Sequence, residues 1–200
     1  MVKQGSRFFR AQGRELFCAS AIPLEGFDEG SLPADPFQVL GDRIRKVLTA
    51  AGVPWAFVGF DLSLNECPGA PTQYRPHAWI IAEKEGMKPA IKLLRRAFPS
   101  DSTTTPRPLV AMNFDGALPG IAYAFKPEFH RRVTTLAEKS KGGKCKRRNT
   151  RERDLLAHQK VEVMLAMDAL GFEGRILLHG LEFQRTEKGW RLVMLGEKPT

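Results

Sequence analysis

Apolar and polar positions alternate most clearly over residues 55–83, WAFVGFDLSLNECPGAPTQYRPHAWIIAE. The first half is an aromatic and β-branched run, with Trp55, Phe57, Val58, Phe60, Leu62 and Leu64, and it predicts a strand. In the second half His77, Trp79, Ile81 and Glu83 share one face of a period-two pattern, while Ala78, Ile80 and Ala82 share the other. Asn65, Glu66, Cys67, Pro68 and Pro71 make a turn-rich connection. The stretch predicts a hairpin that gathers Asp61, Asn65, Glu66, Tyr74 and His77.

Helical spacing flanks this hairpin. Phe37, Leu40, Ile44, Val47, Leu48 and Ala51 recur behind Asp35-Pro36, an N-cap and first-turn pair, and Gly52 ends the run. Ile91, Leu94 and Phe98 form the stripe of a second helix over 87–98, opened by Pro89 and stopped by Pro99. Its Lys88, Lys92, Arg95 and Arg96 read as a solvated outer face. Residues 108–114 predict a third strand, and 120–126 a short helix on which Tyr123 and Lys126 share a face. Residues 154–170 predict a helix with Leu156, Val163, Met164, Met167 and Leu170 as its stripe and Gly171 as its cap. A closing hairpin is expected over 175–195, turning at Glu187-Lys188-Gly189. Residues 1–35 read as irregular, with Phe8, Phe9, Leu16, Phe17 and Ile22 supplying an edge strand or a cover for the core.

This order predicts an α+β fold, a largely antiparallel sheet with helices packed on it. The expected organisation is a core domain over 1–135, a basic linker over 136–153, and a C-terminal helix plus hairpin over 154–200, separate or part of the same domain.

Composition narrows the class. With 42% apolar and 26% charged residues in 200, the chain reads as one soluble domain with a proper core. No apolar run reaches the length of a membrane span. The short stretch 16–24 is too brief for a signal peptide, so export is not expected. Cys18, Cys67 and Cys145 are odd in number and form no CxxC pair, which argues against a disulfide framework or a cysteine zinc site. A cytoplasmic protein is expected. Charge is uneven: residues 130–153 hold ten Lys or Arg against Glu138 and Glu152, so +8 of the net +9 lies there. Such a block favours a polyanion, most simply nucleic acid.

Candidate chemistry changes the picture further. FVGFDLSLNE, YRPHAWIIAE, a basic helix, RPLVAMNF and AYAFKPEFHRR follow in an order that resembles the HUH endonuclease fold. The chain is most similar in this to rolling-circle replication initiators and related plasmid, phage or transposon proteins. The resemblance spans residues 55–132 and implies an HUH-like core. It also implies a Mg²⁺ or Mn²⁺ ion that polarises the scissile phosphate, and a tyrosine that retains the 5′ phosphate covalently. It assigns His77 in Pro76-His77-Ala78 as the first metal histidine, Glu66 as a further ligand, Tyr123 in YAFK as the nucleophile and Lys126 as its accompanying lysine. The second histidine position holds Trp79, which cannot ligate a metal. Residues i and i+2 of a strand face one side, so that loss leaves Glu66, Asp61 or His130 to complete a site, and frees Trp79 to stack on a base.

Nucleic-acid contacts are expected at Trp79, Arg131, Arg132, Lys141, Lys144, Lys146, Arg147, Arg148 and Arg151, with single-stranded or origin DNA as the partner. Two other readings stay open. One is a non-enzymatic regulatory module that binds nucleic acid through its basic segment, with the hairpin as plain core. The other is an interaction module whose basic block meets an acidic protein. Each residue also has a structural role: His77 as a hydrogen-bonding group, Glu66 and Asp61 as turn caps, Tyr123 as a core aromatic with a wet hydroxyl. His130, His158 and His179 share no metal spacing. Walker, GxGxxG, GxSxG and HExxH patterns do not occur.

Overall fold

The computed structural model describes residues 2–12, 15–116, 118–123, 126, 128–137, 147–187 and 189–196. In chain order its elements are α1 (Val2–Ala11), β1 (Leu16–Ala21), β2 (Phe27–Asp28), α2 (Gln38–Ala50), β3 (Ala56–Glu66), β4 (Gln73–Glu83), α3 (Lys84–Ala97) and β5 (Leu109–Phe114). There follow α4 (Leu118–Tyr123), β6 (His130–Ala137), β7 (Arg147–Asp154), α5 (Ala157–Leu170), β8 (Ile176–His179), β9 (Leu181–Thr186) and β10 (Gly189–Met194). The fold is α+β. Its main sheet runs β5-β1-β4-β3-β6-β7, with β2 also on β4 and β8 also on β3. Within it β1, α2, β3, β4, α3 and β5 form a split βαβ arrangement whose strand pairs are all antiparallel. The sheet becomes mixed only where β6 adds parallel to β3. No helix among the described residues is long and apolar enough to cross a membrane.

Strand alternation sorts the central hairpin into two faces. Val58, Phe60, Leu62 and Leu64 of β3, with Tyr74, Ala78 and Ile80 of β4, meet Phe37, Leu40, Ile44 and Leu48 beside α2, Met87 and Leu94 of α3, and Val163 of α5. The opposite face carries Trp55, Phe57 and Ile81 under Phe8 and Phe9 of α1, Ile121 of α4, and Leu181 and Leu192 of the β9–β10 hairpin. Phe8 meets Trp55 edge-on at 5.4 Å and Phe9 stacks on it at 6.1 Å. This second cover stops short. Beyond it the same face presents Asp61, Ser63 and Asn65 of β3 and Arg75, His77 and Trp79 of β4.

At that level the sheet is also interrupted on both sides. β1 ends opposite Ala78 and β2 begins opposite Tyr74, so Arg75, Pro76 and His77 have no strand neighbour there. β8 begins opposite Gly59 and runs away from it, and β6 begins opposite Ser63, so Phe60, Asp61 and Leu62 have none either. Pro76 has no N–H to give, and a break in the ladder is where a proline fits inside a sheet.

Several expectations change. The N-terminal segment is not irregular: α1 is a helix, and β1 is an inner strand between β4 and β5 rather than an edge. Burial on both faces, with Cys18, Ala19 and Ala21 at 1% exposure or less, hides the alternation that would have marked it. The stretch expected as a linker is strand over residues 147–154, paired in register with β6; its residues 138–146 lie outside the described residues. Residues 154–200 are not set apart where they are described. Leu155 and Val163 join the first core and β8 pairs with β3. Within that stretch the expected strand over RILLHGLEFQR breaks at Gly180, whose φ of +62° and 2.1 Å approach of a notional Cβ to the Pro54 carbonyl admit no side chain. In α5 the buried residues are Gln159, Val163 and Ala166, while Met164, expected inward, is 69% exposed.

Candidate nucleic-acid interface

The interruption places Asp61 and His77 directly opposite one another. Asp61 is 7% exposed, and its carboxylate accepts the Leu62 N–H at 2.8 Å, a donor left over by the gap between β6 and β8. Lys126 Nζ stands 3.8 Å away. Burial pushes the Asp61 carboxyl above its usual range, against the opposing pull of Lys126, the Leu62 N–H, Arg175 and His130. His77 Nε2 lies 3.1 Å from the Ser63 hydroxyl, which donates to Asn65 Oδ1 at 3.2 Å. Burial, then Arg132, Lys126 and Arg75, hold the imidazole down to about 3, so it is neutral at neutral pH.

An aromatic pair borders this polar patch. Tyr123, at the end of α4, packs against Trp79 with ring centroids 5.1 Å apart and remains 47% exposed. Buried Ile121 anchors α4 beneath it. The Lys126 N–H reaches the Tyr123 carbonyl at 3.3 Å, and Lys126 Nζ lies 5.9 Å over the phenol ring. Arg175 fixes Lys126 from behind by donating to its carbonyl, and itself lies 5.2 Å over Phe129. Burial and the nearby Asp61 charge raise the Tyr123 phenol above its ordinary value, with Arg132 opposing.

Alternation along β6 and β7 divides the basic segment. Arg131 falls on the helix-covered side and pairs with Glu66 at 3.3 Å. Arg132 falls on the open side, opposite Glu152, and Arg148 follows it there. Arg151, opposite Val133, is exposed, and Arg147 opens β7. Lys141, Lys144 and Lys146 lie outside the described residues. The fold thus brings His77, Trp79, Tyr123, Lys126 and Arg132 together from β4, α4, β6 and the segment after α4. It does not bring Glu66 to them, because five residues from Asp61 an extended strand faces the other way. Ser63 and Arg175 belong to the site without having been expected. Period-two spacing from Asp61 was the available signal for Ser63, and none marked Arg175.

A divalent ion would find His77 and Asp61 on this side. His130 Nε2 is turned to Glu128 at 3.9 Å. Mg²⁺ and Mn²⁺ take several oxygen ligands in regular geometry. Here the carboxylate already faces Lys126, and three cations surround the imidazole. These residues do not fit such an ion. What the arrangement offers instead is an exposed ring, hydroxyl and amide groups, and positive charge. No family model, curated protein or solved structure matches this chain.

Proposed function

We propose that this protein binds single-stranded nucleic acid beside the polar half of its second sheet face, as a module of replication-initiator type. The observation that carries this is the exposed Tyr123 ring, backed by Trp79 and flanked by Lys126. A base stacks on such a ring whatever its identity, and cations beside it take the phosphates. Trp79, half-buried behind Tyr123, is then the inner plate of the platform and Tyr123 the outer one. The basic β6–β7 segment adds affinity that falls with salt. Tyr123→Ala should weaken binding of a labelled oligothymidylate by about fivefold to 150-fold in fluorescence anisotropy, since stacking contributes roughly 1–3 kcal/mol per base. Unchanged affinity would remove this reading.

A second reading has its own support: Tyr123, Lys126 and His77 converge although they are far apart in the chain. In it the Tyr123 hydroxyl attacks phosphorus, a phosphotyrosine ester forms, the bond to the 3′ oxygen breaks, and the phenol proton ends on that oxygen. Lys126 and Arg132 would balance the charge of the transition state. The raised phenol pKa works against the attack, which is why binding ranks first. Tyr123→Phe separates the two, because it keeps the stacking ring and removes the nucleophile. A covalent band on a denaturing gel, present in the parent and lost in Tyr123→Phe, would establish transfer. Binding with no band leaves the module non-enzymatic.

A further inference from the structure

Where β6 and β7 leave the sheet, a cleft of ≈ 140 Å³ opens between them and the loop that leads into β5. Arg107, Arg132, Arg148, Thr104, Thr134 and Thr150 contribute to its lining. The loop is tied to itself. Asp101 and Thr105 exchange backbone hydrogen bonds at 3.0 and 3.1 Å, and the Asp101 carboxylate accepts from both the N–H and the hydroxyl of Thr104 at 2.6 Å. The fixed loop presents two carbonyls to Arg148, which donates to Thr103 O, to Thr104 O at 3.2 Å and to Thr134 Oγ1 at 3.4 Å. Thr134 and Thr150 hydroxyls pair across the ribbon at 3.0 Å.

These acceptors are neutral, so they orient the guanidinium without cancelling its charge. Arg107 is exposed, and Arg132 has a buried Nε with no partner among the described residues. No carboxylate among the described residues comes within ion-pair distance of the three arginines. Asp101 is turned onto Thr104, and Glu152, opposite Arg132, is exposed. Three guanidinium groups with no paired carboxylate among the described residues, and hydroxyls between them, select an oxyanion, and arginine forks match phosphate oxygens in pairs. Asn65 also lines the cleft and receives the Ser63 hydroxyl that stands 3.1 Å from His77, so the cleft adjoins the polar patch that the aromatic pair borders.

We propose that this cleft is a phosphodiester subsite, taking a backbone phosphate of the strand whose base lies on Tyr123. This rests on the binding reading above. An acidic protein segment would present carboxylates to the same arginines, but a run of acidic side chains would make no use of the adjoining aromatic rings.

The test measures oligothymidylate affinity against salt for the parent chain, Arg107→Gln/Arg132→Gln, the exposed single change Arg107→Gln, and Tyr123→Ala. Each neutralised phosphate contributes about 0.7 to the slope of log K against log salt for single strands. The double variant should lose affinity and flatten the slope by about that amount, the single variant by part of it, while Tyr123→Ala loses affinity at unchanged slope. Parent-like slopes in both arginine variants, with Tyr123→Ala still weakened, would overturn the cleft and leave the binding reading standing. No oligonucleotide binding by the parent chain would overturn both. Inorganic phosphate shifting the Arg132 Nε resonance in that case would mean a free-anion site. A polyglutamate peptide competing as well as the oligonucleotide would likewise overturn the phosphodiester assignment.

Discussion

The two ends of the β3–β4 ribbon are built from the same pairing and differ in what covers them. At one end Phe57, Val58, Ile80 and Ile81 are buried on both faces, between helices on one side and α1 with the β9–β10 hairpin on the other. At the other end Leu62, Leu64 and Tyr74 keep the helices, but on the reverse Asp61 meets the Leu62 N–H and Lys126, and Ser63 meets Asn65 and His77. Beside Asp61 and His77 the adjoining strands are also missing from both edges. Hydrophobic burial makes the first end stable and chemically silent. The second is held by the face it shares with the core, which lets its reverse carry polar groups that would be costly in a fully packed sheet.

The two ends of the ribbon should respond differently to mutation. Trp55→Ala, at the closed end, removes a fully buried ring packed by Phe8 and Phe9 and should cost about 3–5 kcal/mol in urea unfolding. Ser63→Ala, at the polar end, should cost about 1–2 kcal/mol, because it removes the hydroxyl's hydrogen bonds to Asn65 and His77 but little buried apolar surface. Equal losses would mean that the polar end is core in all but composition.

Acid sharpens the contrast. The His77 pKa is about 3 when folded against 6.5 in the free side chain. As pH falls through 6.5 the unfolded chain takes a proton that the folded one refuses, so stability drops until the folded pKa is reached. The slope from this group approaches about 1.4 kcal/mol per pH unit. Between pH 7 and 5 the parent should lose stability that His77→Gln, with no proton to take, retains. Parallel pH profiles would show that His77 is not held neutral by its surroundings.

What the sequence made legible follows the same division. The hairpin, α2 and α3 could be read because one face is apolar at the right period. β1 could not, because both its faces are buried. β6 and β7 could not either: HRRVTTLA and RRNTRERD carry almost no apolar alternation, and their pairing rests on backbone register. Of the candidate site, His77, Trp79, Tyr123 and Lys126 were each nameable from their motifs. Glu66 was misplaced because the face it occupies depends on which residue stands opposite His77, and loop composition does not fix that register.

The smallest expected effect lies at Asp61 and has the opposite sign to ordinary core mutations. Its carboxyl is raised above the free value of 3.8, with burial outweighing the Lys126 charge 3.8 Å away. A folded state that favours the protonated acid gains stability as pH falls through the raised pKa, and at neutral pH bears the cost of a buried charge. Asp61→Asn keeps the shape and an oxygen acceptor for the Leu62 N–H while removing that charge. It should therefore match or exceed the parent in stability at pH 7, by about 1 kcal/mol at most given the lost Lys126 attraction. The gap should close as pH falls through the raised folded pKa and on below 3.8, where the acid is neutral in both states. A loss at pH 7 that persists in acid would place the carboxylate among the groups that hold the ribbon together. An unchanged or higher stability, with weaker oligonucleotide binding, would instead mean that the charge is kept to set Lys126 over the Tyr123 ring.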